Sequence, residues 1–342
     1  MRILAVVAAV AALGCGRFGY KARELDGDGG TADARDGDGS SQPDGGPGPV
    51  GCVDTLVVTT EADEDDAGES PVPHHLGAGL SLREAIAIGN TRAGRDCISF
   101  AGPTSTVIGS QLPDLEDPDG TAIDGGGVVT VRSGGGVPLA LRLVSDGNSV
   151  FNLEIADVMI AIQVNGSSTL LHGLHVRDCP TAGIVIAAAA ADVEIVASLL
   201  HDNREAAIQA LGTTGLRVLD CTIVKNAGSG VNATAGGADL FVENSIVTGN
   251  QDYGVAVDPG APVSLDYDDI FDNRLEDCLN CTVGPNSIAE DPMYVNQTSD
   301  DYHLETGSPA IDKGRVNGVD VNGDATGDYN GEAPDMGAFE SP

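Results

Sequence analysis

Ala161-Ile162-Gln163-Val164, Gly183-Ile184-Val185-Ile186, Ala207-Ile208-Gln209-Ala210, Gly230-Val231-Asn232-Ala233 and Gly254-Val255-Ala256-Val257 are one short motif written five times. Each opens on a small residue and continues with apolar side chains at alternate positions, the period of a strand with one buried face. Measured from Ile162, the steps are 22, 24, 23 and 24. A second apolar pair keeps the same time: Leu199-Leu200, Ile223-Val224, Ile246-Val247 and Ile270-Phe271, at steps of 24, 23 and 24. Two or three residues after each pair stands Asn203, Asn226, Asn250 or Asn273.

The intervals hold Gly and Asn turns and no run of ten or more residues in helical pattern, so a βαβ unit or a helix-bearing leucine-rich repeat does not fit. A β-propeller needs a longer blade, and an α-solenoid needs helix formers in place of Gly-Ile-x-Ile. The spacing predicts an all-β chain, a single-stranded right-handed parallel β-helix whose coils stack about 4.8 Å apart. Like positions then form inward columns of Ile, Val and Leu, while Gly and Asn take the left-handed backbone at the bends. Stacked amides of Asn203, Asn226, Asn250 and Asn273 are expected to bond from coil to coil as a structural ladder, with Cys179 in the equivalent place one coil earlier. Val128-Val129-Thr130-Val131 and residues 139–144 fit as preceding coils, so the repeats run over residues 128–275. Six or seven coils would make a rod of about 30 Å.

The chain has 342 residues with 17 Lys+Arg against 52 Asp+Glu, a net charge of −35 that excludes attraction to nucleic-acid phosphates or an anionic membrane face. Trp is absent and aromatics are 4%, which removes most stacking platforms for bases or sugar rings. Hydrophobic residues still make up 41%, enough for a packed core. Part of the glycine total of 47 lies in residues 16–51, where Asp26-Gly27-Asp28-Gly29-Gly30 and Asp36-Gly37-Asp38-Gly39-Ser40 offer almost nothing to bury. That segment is expected to be a disordered, self-repelling linker.

Arg2 precedes an apolar run over residues 3–13, too short to span a bilayer as a helix and of signal-peptide proportions. The run ends Ala12-Leu13-Gly14-Cys15, which resembles the lipobox of bacterial lipoproteins. The resemblance implies that residues 1–15 are a lipoprotein signal, that Cys15 is lipidated, and, with Gly16 following it, that the protein is exported and anchored to an outer membrane at the cell surface.

Ser81-Leu82-Arg83-Glu84 is a capping box, and Leu82, Ala85, Ile86 and Gly89 continue it as a short amphipathic helix suited to plugging the N-terminal end of a solenoid. Leu80-Ser81-Leu82-Arg83-Glu84-Ala85-Ile86, Asp96-Cys97-Ile98-Ser99-Phe100 and Thr121-Ala122-Ile123-Asp124-Gly125-Gly126-Gly127 resemble the cap and first coils of the CSLREA-type, polymorphic-outer-membrane-protein-like β-helix proteins, with Leu80 where that family has Cys. Asp291-Pro292-Met293-Tyr294-Val295, Asp301-Tyr302-His303-Leu304, Gly307-Ser308-Pro309-Ala310-Ile311-Asp312-Lys313-Gly314 and Pro334-Asp335-Met336-Gly337-Ala338-Phe339-Glu340 resemble the C-terminal block of choice-of-anchor Q proteins. These resemblances imply an N-terminal cap and first coils over residues 52–127 and a loop-rich C-terminal cap over residues 276–342. They carry architecture and almost no chemistry. Such families usually sort through a C-terminal anchor, and Glu340-Ser341-Pro342 offers none, which agrees with anchoring at Cys15.

Cys15 apart, six cysteines remain, an even set that in an exported protein suggests disulfides. Cys52 with Cys97 would staple the first strand to the cap, and Cys278 with Cys281 would clip the loop after the last coil. Cys179 and Cys221 are left as a third pair, although 42 residues is not a whole number of coils. A redox role for Cys278-Leu279-Asn280-Cys281 lacks its βαβ setting.

Catalysis has to be argued from a site, because the β-helix hosts many polysaccharide lyases and hydrolases. Arg177, His201 and Lys225 fall at steps of 24 and suggest an outward column, with Asp178, Asp202 and Asp252 nearby in phase and Asp268-Asp269 as a carboxylate pair. The polygalacturonase pattern of Asn-x-Asp, Asp-Asp, Gly-His-Gly and Arg-x-Lys is missing in that order, so no catalytic set is recognisable. His172, His175 and His201 make a poor metal trio, since i and i+3 on a strand point opposite ways. Asp320, Asn322, Asp324 and Asp328 alternate like calcium ligands, though Ala325 stands where an EF-hand needs Gly, which makes calcium the one cofactor the sequence suggests. The sequence thus predicts a surface lipoprotein that is structural or binds glycans or other surface proteins, with a secreted polysaccharide lyase or glycoside hydrolase as the alternative.

Overall fold

The computed structural model describes residues 49, 51–65, 79–236, 238–319, 321 and 329–341. Cys15, nearly all of the linker, and the suggested calcium ligands Asp320, Asn322, Asp324 and Asp328 lie outside the described residues. The fold is a right-handed parallel β-solenoid in which short strands stack into three walls. The third wall holds Leu141–Leu143, Ile160–Val164, Ala182–Ile186, Ile208–Ala210, Val231–Ala233, Tyr253–Val257 and Glu276–Leu279. Its register aligns Leu141, Ile162, Ile184, Ile208, Val231 and Val255, the column read from the repeat, and each is buried. The first wall adds a column that the repeat did not disclose: Leu56, Ile98, Ile123, Val150, Leu171, Ile195, Val218, Val242 and Leu265. Earlier coils merge the first two walls, so that Ser149–Ala156 pairs through Phe151 with Thr169–His172 and through Glu154 with His175–Arg177.

The second wall comprises His175–Arg177, Leu199–His201, Thr222–Val224, Ile246–Thr248 and Asp269–Phe271. Here the sequence alignment slips by one residue. Ile223 lies beside Leu200 and not Leu199, and Val247 lies beside Ile223, so the inward column is Val176, Leu200, Ile223, Val247 and Ile270. Two adjacent apolar residues cannot fix which of them faces in, and a one-residue slip exchanges the faces.

Asn152, Asn244 and Gly173 take the left-handed backbone as expected, but one row of bends differs. Between the second and third walls, the left-handed positions belong to Asp157, Asp178, Asp202, Lys225, Gly249 and Asp272, with φ from 53° to 65°. Aspartate tolerates that region better than most residues because its short polar side chain can bond locally. The ladder asparagines each follow by one residue and take no such strain. Their amides link coil to coil, each Nδ2 donating to the next Oδ1 at 2.9 Å from Asn203 to Asn226, Asn250 and Asn273. Asp277 accepts the last amide at 2.8 Å, and the Cys179 N–H donates to Asn203 Oδ1 at the other end. A second ladder runs at the bend between the first and second walls, where Ser198, Ser245, Asp268 and Ser287 accept backbone N–H groups of neighbouring coils.

Both free thiols among the described residues belong to these ladders. Cys179 stands on the asparagine corner, and Cys221 stands on the serine corner, where its sulfur meets the Ser198 N–H. Different corners of the coil cannot be bridged, so the third disulfide considered from the sequence does not form. Cys52 bonds to Cys97 and Cys278 to Cys281, with Cα separations of 5.6 and 5.5 Å.

The helix Leu82–Gly89 closes the N-terminal end. The Glu84 N–H donates to Ser81 Oγ and the Ser81 N–H to Glu84 Oε2, which satisfies two donors at the helix start. Leu82, Ala85 and Ile86 pack into the core. At the other end, residues 284–288 finish the last coil through Gly284 N–H to Leu265 O and Ile288 N–H to Asp268 O. Beyond them the chain is not an end cap. It turns back along the outside of the second wall, where the antiparallel strands Tyr294–Asn296 and Asp301–Leu304 and the segment around Phe339 cover Leu199, Val224 and Ile246. The Ala338 N–H donates to Thr222 Oγ1 at 3.0 Å, fixing this strap to the wall.

Candidate functional site

The register decides which charged side chains of the second wall meet. His201 pairs with Arg177 on one side and with Val224 on the other. Arg177 and His201 therefore share an outward column, and Lys225 does not join them: the step between these coils is 23, which places it on the left-handed bend in line with Asp178 and Asp202. Its ammonium donates to Gln297 O at 2.7 Å and lies 5.4 Å from the centre of the Tyr302 ring. Asp252 is also elsewhere, paired with Arg274 at 3.5 Å.

Arg177 is fully engaged. Its guanidinium bonds to Glu154 Oε1 at 2.8 Å through Nε and to Asp178 Oδ2 at 2.6 Å through Nη1. Burial works against its charge, but Glu154 and Asp178 outweigh that and raise its pKa, so Arg177 is a locked cation and not a base. Glu154, which the sequence reading passed over, sits one coil before Arg177 and also accepts from Thr130 Oγ1 at 2.8 Å.

His175 and His201 stack with ring centres 5.0 Å apart and Nε2 atoms 2.7 Å apart. The divergence of i and i+3 side chains holds for His172 and His175, and it sends His172 to the first wall, 6.2 Å from the Phe151 ring. Stacking of coils, however, joins His175 to His201, a contact that period-two reasoning within one strand cannot see. Burial lowers the His175 pKa well below its usual value, with His201 and Arg177 adding to the effect, so this ring is neutral. His201 Nδ1 stands 2.7 Å from Asp202 Oδ2. The strap completes the cluster: Asp300 brings a carboxylate so that one donor atom each from His201, Asp202 and Asp300 lie within 4.8 Å of one another. Tyr302 packs its ring 5.1 Å from His201. Neither strap residue was legible as a partner of the repeat, because nothing in a local period ties position 300 to position 201.

The Asp268-Asp269 pair does not face a groove. Asp268 belongs to the serine corner and accepts the Ser245 N–H at 2.9 Å, whereas Asp269 lies under the strap and accepts the Glu290 N–H at 3.1 Å. Both are fully buried, and burial raises the Asp269 pKa to about 7 and that of Asp268 well above its usual value.

Beside the histidine cluster is a cleft of about 400 Å³ lined by Ser133, Gly134, Gly135, Gly136, Asp157, Asp178, Pro180, Asp202 and Arg204. Its acidic side is made by the left-handed aspartates of three successive coils. Such a lining suits hydroxyl donors or cations and repels carboxylate-bearing chains. No aromatic ring lines it to hold a sugar face.

A family model described as Right handed beta helix region matches residues 129–290. The structure is similar to the crystal structure of pectate lyase Pel9A, with a TM-score of 0.51 and 14% sequence identity over 85% of this chain and 97% of that one. No curated relative matches the chain. The class these likenesses define is the right-handed parallel β-helix, and at that identity the likeness concerns the fold alone.

Proposed function

We propose that this chain is an exported surface protein, tethered to the outer membrane through lipid on Cys15, that works as a glycan-binding β-helix module without cleaving its ligand. The observation that carries the reading is that the charged side chains of the second wall are engaged with one another or with the strap. Arg177 is held by Glu154 and Asp178, Lys225 by Gln297, and Asp269 by Glu290 beneath the strap. A lyase needs a basic group free to take a proton, and a glycosidase needs two carboxylates across an open groove. The acidic cleft beside His201 supports neutral or amine-bearing glycans as ligands and argues against polyuronates.

A Cys15→Ser variant tests both parts. It should leave the membrane fraction, and continued attachment would refute the tether. The released protein, incubated with neutral, amine-bearing and uronic-acid glycans, should retain members of the first two groups and generate no new chain ends. Release of chain ends from any glycan would establish the enzyme reading in its place, and failure to retain any would remove the binding role.

A further inference from the structure

We propose that His201, Asp202 and Asp300 form a site for a borderline divalent metal such as zinc, which pins the C-terminal strap to the second wall. The three donor atoms lie within 4.8 Å of one another, and His201 Nδ1 is 2.7 Å from Asp202 Oδ2. Donors bonded at about 2.0–2.2 Å to a single tetrahedral ion stand about 3.4 Å apart, a value between those two, so a small movement of the half-exposed Asp202 carboxylate admits the ion. One imidazole and two carboxylates suit zinc, manganese or cobalt and not calcium or magnesium, which take oxygen donors alone.

Two further features converge on the same point. Tyr302 is 1% exposed and its hydroxyl has no hydrogen-bond partner among the described residues, an uncommon state for a buried phenol. The Tyr302 ring centre is 5.1 Å from that of His201, and Tyr302 follows Asp300 by two residues on the strap, so this side chain borders the cluster. An ion there, or a water on it, would give that hydroxyl its partner. The second feature is the ring behind His201. When Nδ1 binds a metal, Nε2 carries the proton, and His175 Nε2 stands 2.7 Å away as the acceptor. Metal-bound imidazoles usually donate their other N–H, most often to a carboxylate or carbonyl, and here an imidazole nitrogen takes that place. The nearby cations do not compete, since Lys225 donates to Gln297 O and Arg177 is tied to Glu154 and Asp178.

The site joins residues almost a hundred positions apart, one part on the repeats and one on the strap, so binding should appear as stability. The Cys15→Ser protein, freed of metal with a chelator, is titrated with Zn²⁺, Co²⁺, Ca²⁺ and Mg²⁺ while melting temperature and heat of binding are followed. Zn²⁺ and Co²⁺ should raise the melting temperature, Co²⁺ should develop the visible absorption of a nitrogen and oxygen site, and any effect of Ca²⁺ or Mg²⁺ should be the same in variants of Asp202 and Asp300 as in the parent. Asp300→Asn, at a partly exposed strap position, and Asp202→Asn as a second variant should each weaken Zn²⁺ binding by about tenfold or more, while Asp252→Asn leaves it unchanged. No zinc effect in the parent protein would overturn the site. So would zinc binding in Asp300→Asn and Asp202→Asn equal to that of the parent.

Discussion

The Asn226 side chain donates from Nδ2 to Asn250 Oδ1 at 2.9 Å, and the same oxygen accepts the Asn226 backbone N–H at 3.1 Å, so one amide closes two bonds across a coil boundary. Each buried rung thus satisfies both neighbours, and the ladder behaves as one polar network inside an apolar core.

Removing an interior rung should therefore cost more than removing the last. Asn226→Ala leaves Asn203 Nδ2 and the Asn203 N–H without their acceptor, and Leu200 O and Val224 O without their donor. At about 1–3 kcal/mol for each buried group left unsatisfied, and some relaxation, the expected loss is about 3–5 kcal/mol. Asn203→Ala, the last rung at the Cys179 end, accepts only the Cys179 N–H and donates to Val176 O and Asn226 Oδ1, so it should cost less. Urea denaturation of both variants decides it, and equal losses would show that the network is not cooperative.

The two unpaired thiols should be inert in the native protein. Burial pushes the Cys179 thiol up to about 12 and raises that of Cys221 as well, which leaves almost no thiolate at pH 8. In a Cys15→Ser background without reductant, iodoacetamide should label neither in the folded state and two sites per chain after denaturation. Labelling of four or more would mean that the Cys52 or Cys278 bridges do not form.

Close approach of coils gives a third outcome. A methyl at Gly254 would stand 2.6 Å from Asp277 O and 2.7 Å from Asn273 Nδ2, and backbone cannot yield as a side-chain tip can. Gly254→Ala should lose about 1–3 kcal/mol or more, whereas Gly102→Ala, with nothing within 4 Å, should be neutral or slightly stabilising. Comparable melting temperatures for the two would count against the tight packing at the asparagine corner.

What the sequence disclosed and what it hid follow from the same physics. Ile162-Gln163-Val164 alternates because only one face of the third wall is buried, so its register could be read without the structure. Leu199-Leu200 and Ile246-Val247 do not alternate, because the strap buries the outer face of the second wall too. The doubled apolar pair was the available sign of a wall covered on both sides. Read as a single-faced strand, it produced the one-residue slip that also placed Lys225 beneath His201. Asp300 and Tyr302 left no sign in the repeat, since their contacts with it depend on how a non-repeating segment folds back.

Burial also sets the sign of the pH dependence of stability. The folded-state pKa of Asp269, Asp220 and Glu340 is raised by desolvation to about 7, against about 4 for unfolded carboxyls. Between those values the folded chain binds more protons, so the stability these groups contribute is complete below about pH 4 and is lost as pH rises through about 7. His172, lowered to about 4 by burial, acts in the opposite sense, losing stability as pH falls from 6.5 toward 4. The carboxyls consequently act without that opposition above about pH 6.5, and the melting temperature should fall from pH 6.5 to pH 8. Asp269→Asn isolates one of them: its Oδ1 can still accept the Glu290 N–H, and it has no proton to lose. The variant should match the parent near pH 5 and become the more stable of the two as pH rises, by at most about 1.4 kcal/mol per pH unit. A stability difference between variant and parent that does not change from pH 5 to pH 8 would mean that Asp269 is not protonated in the folded protein.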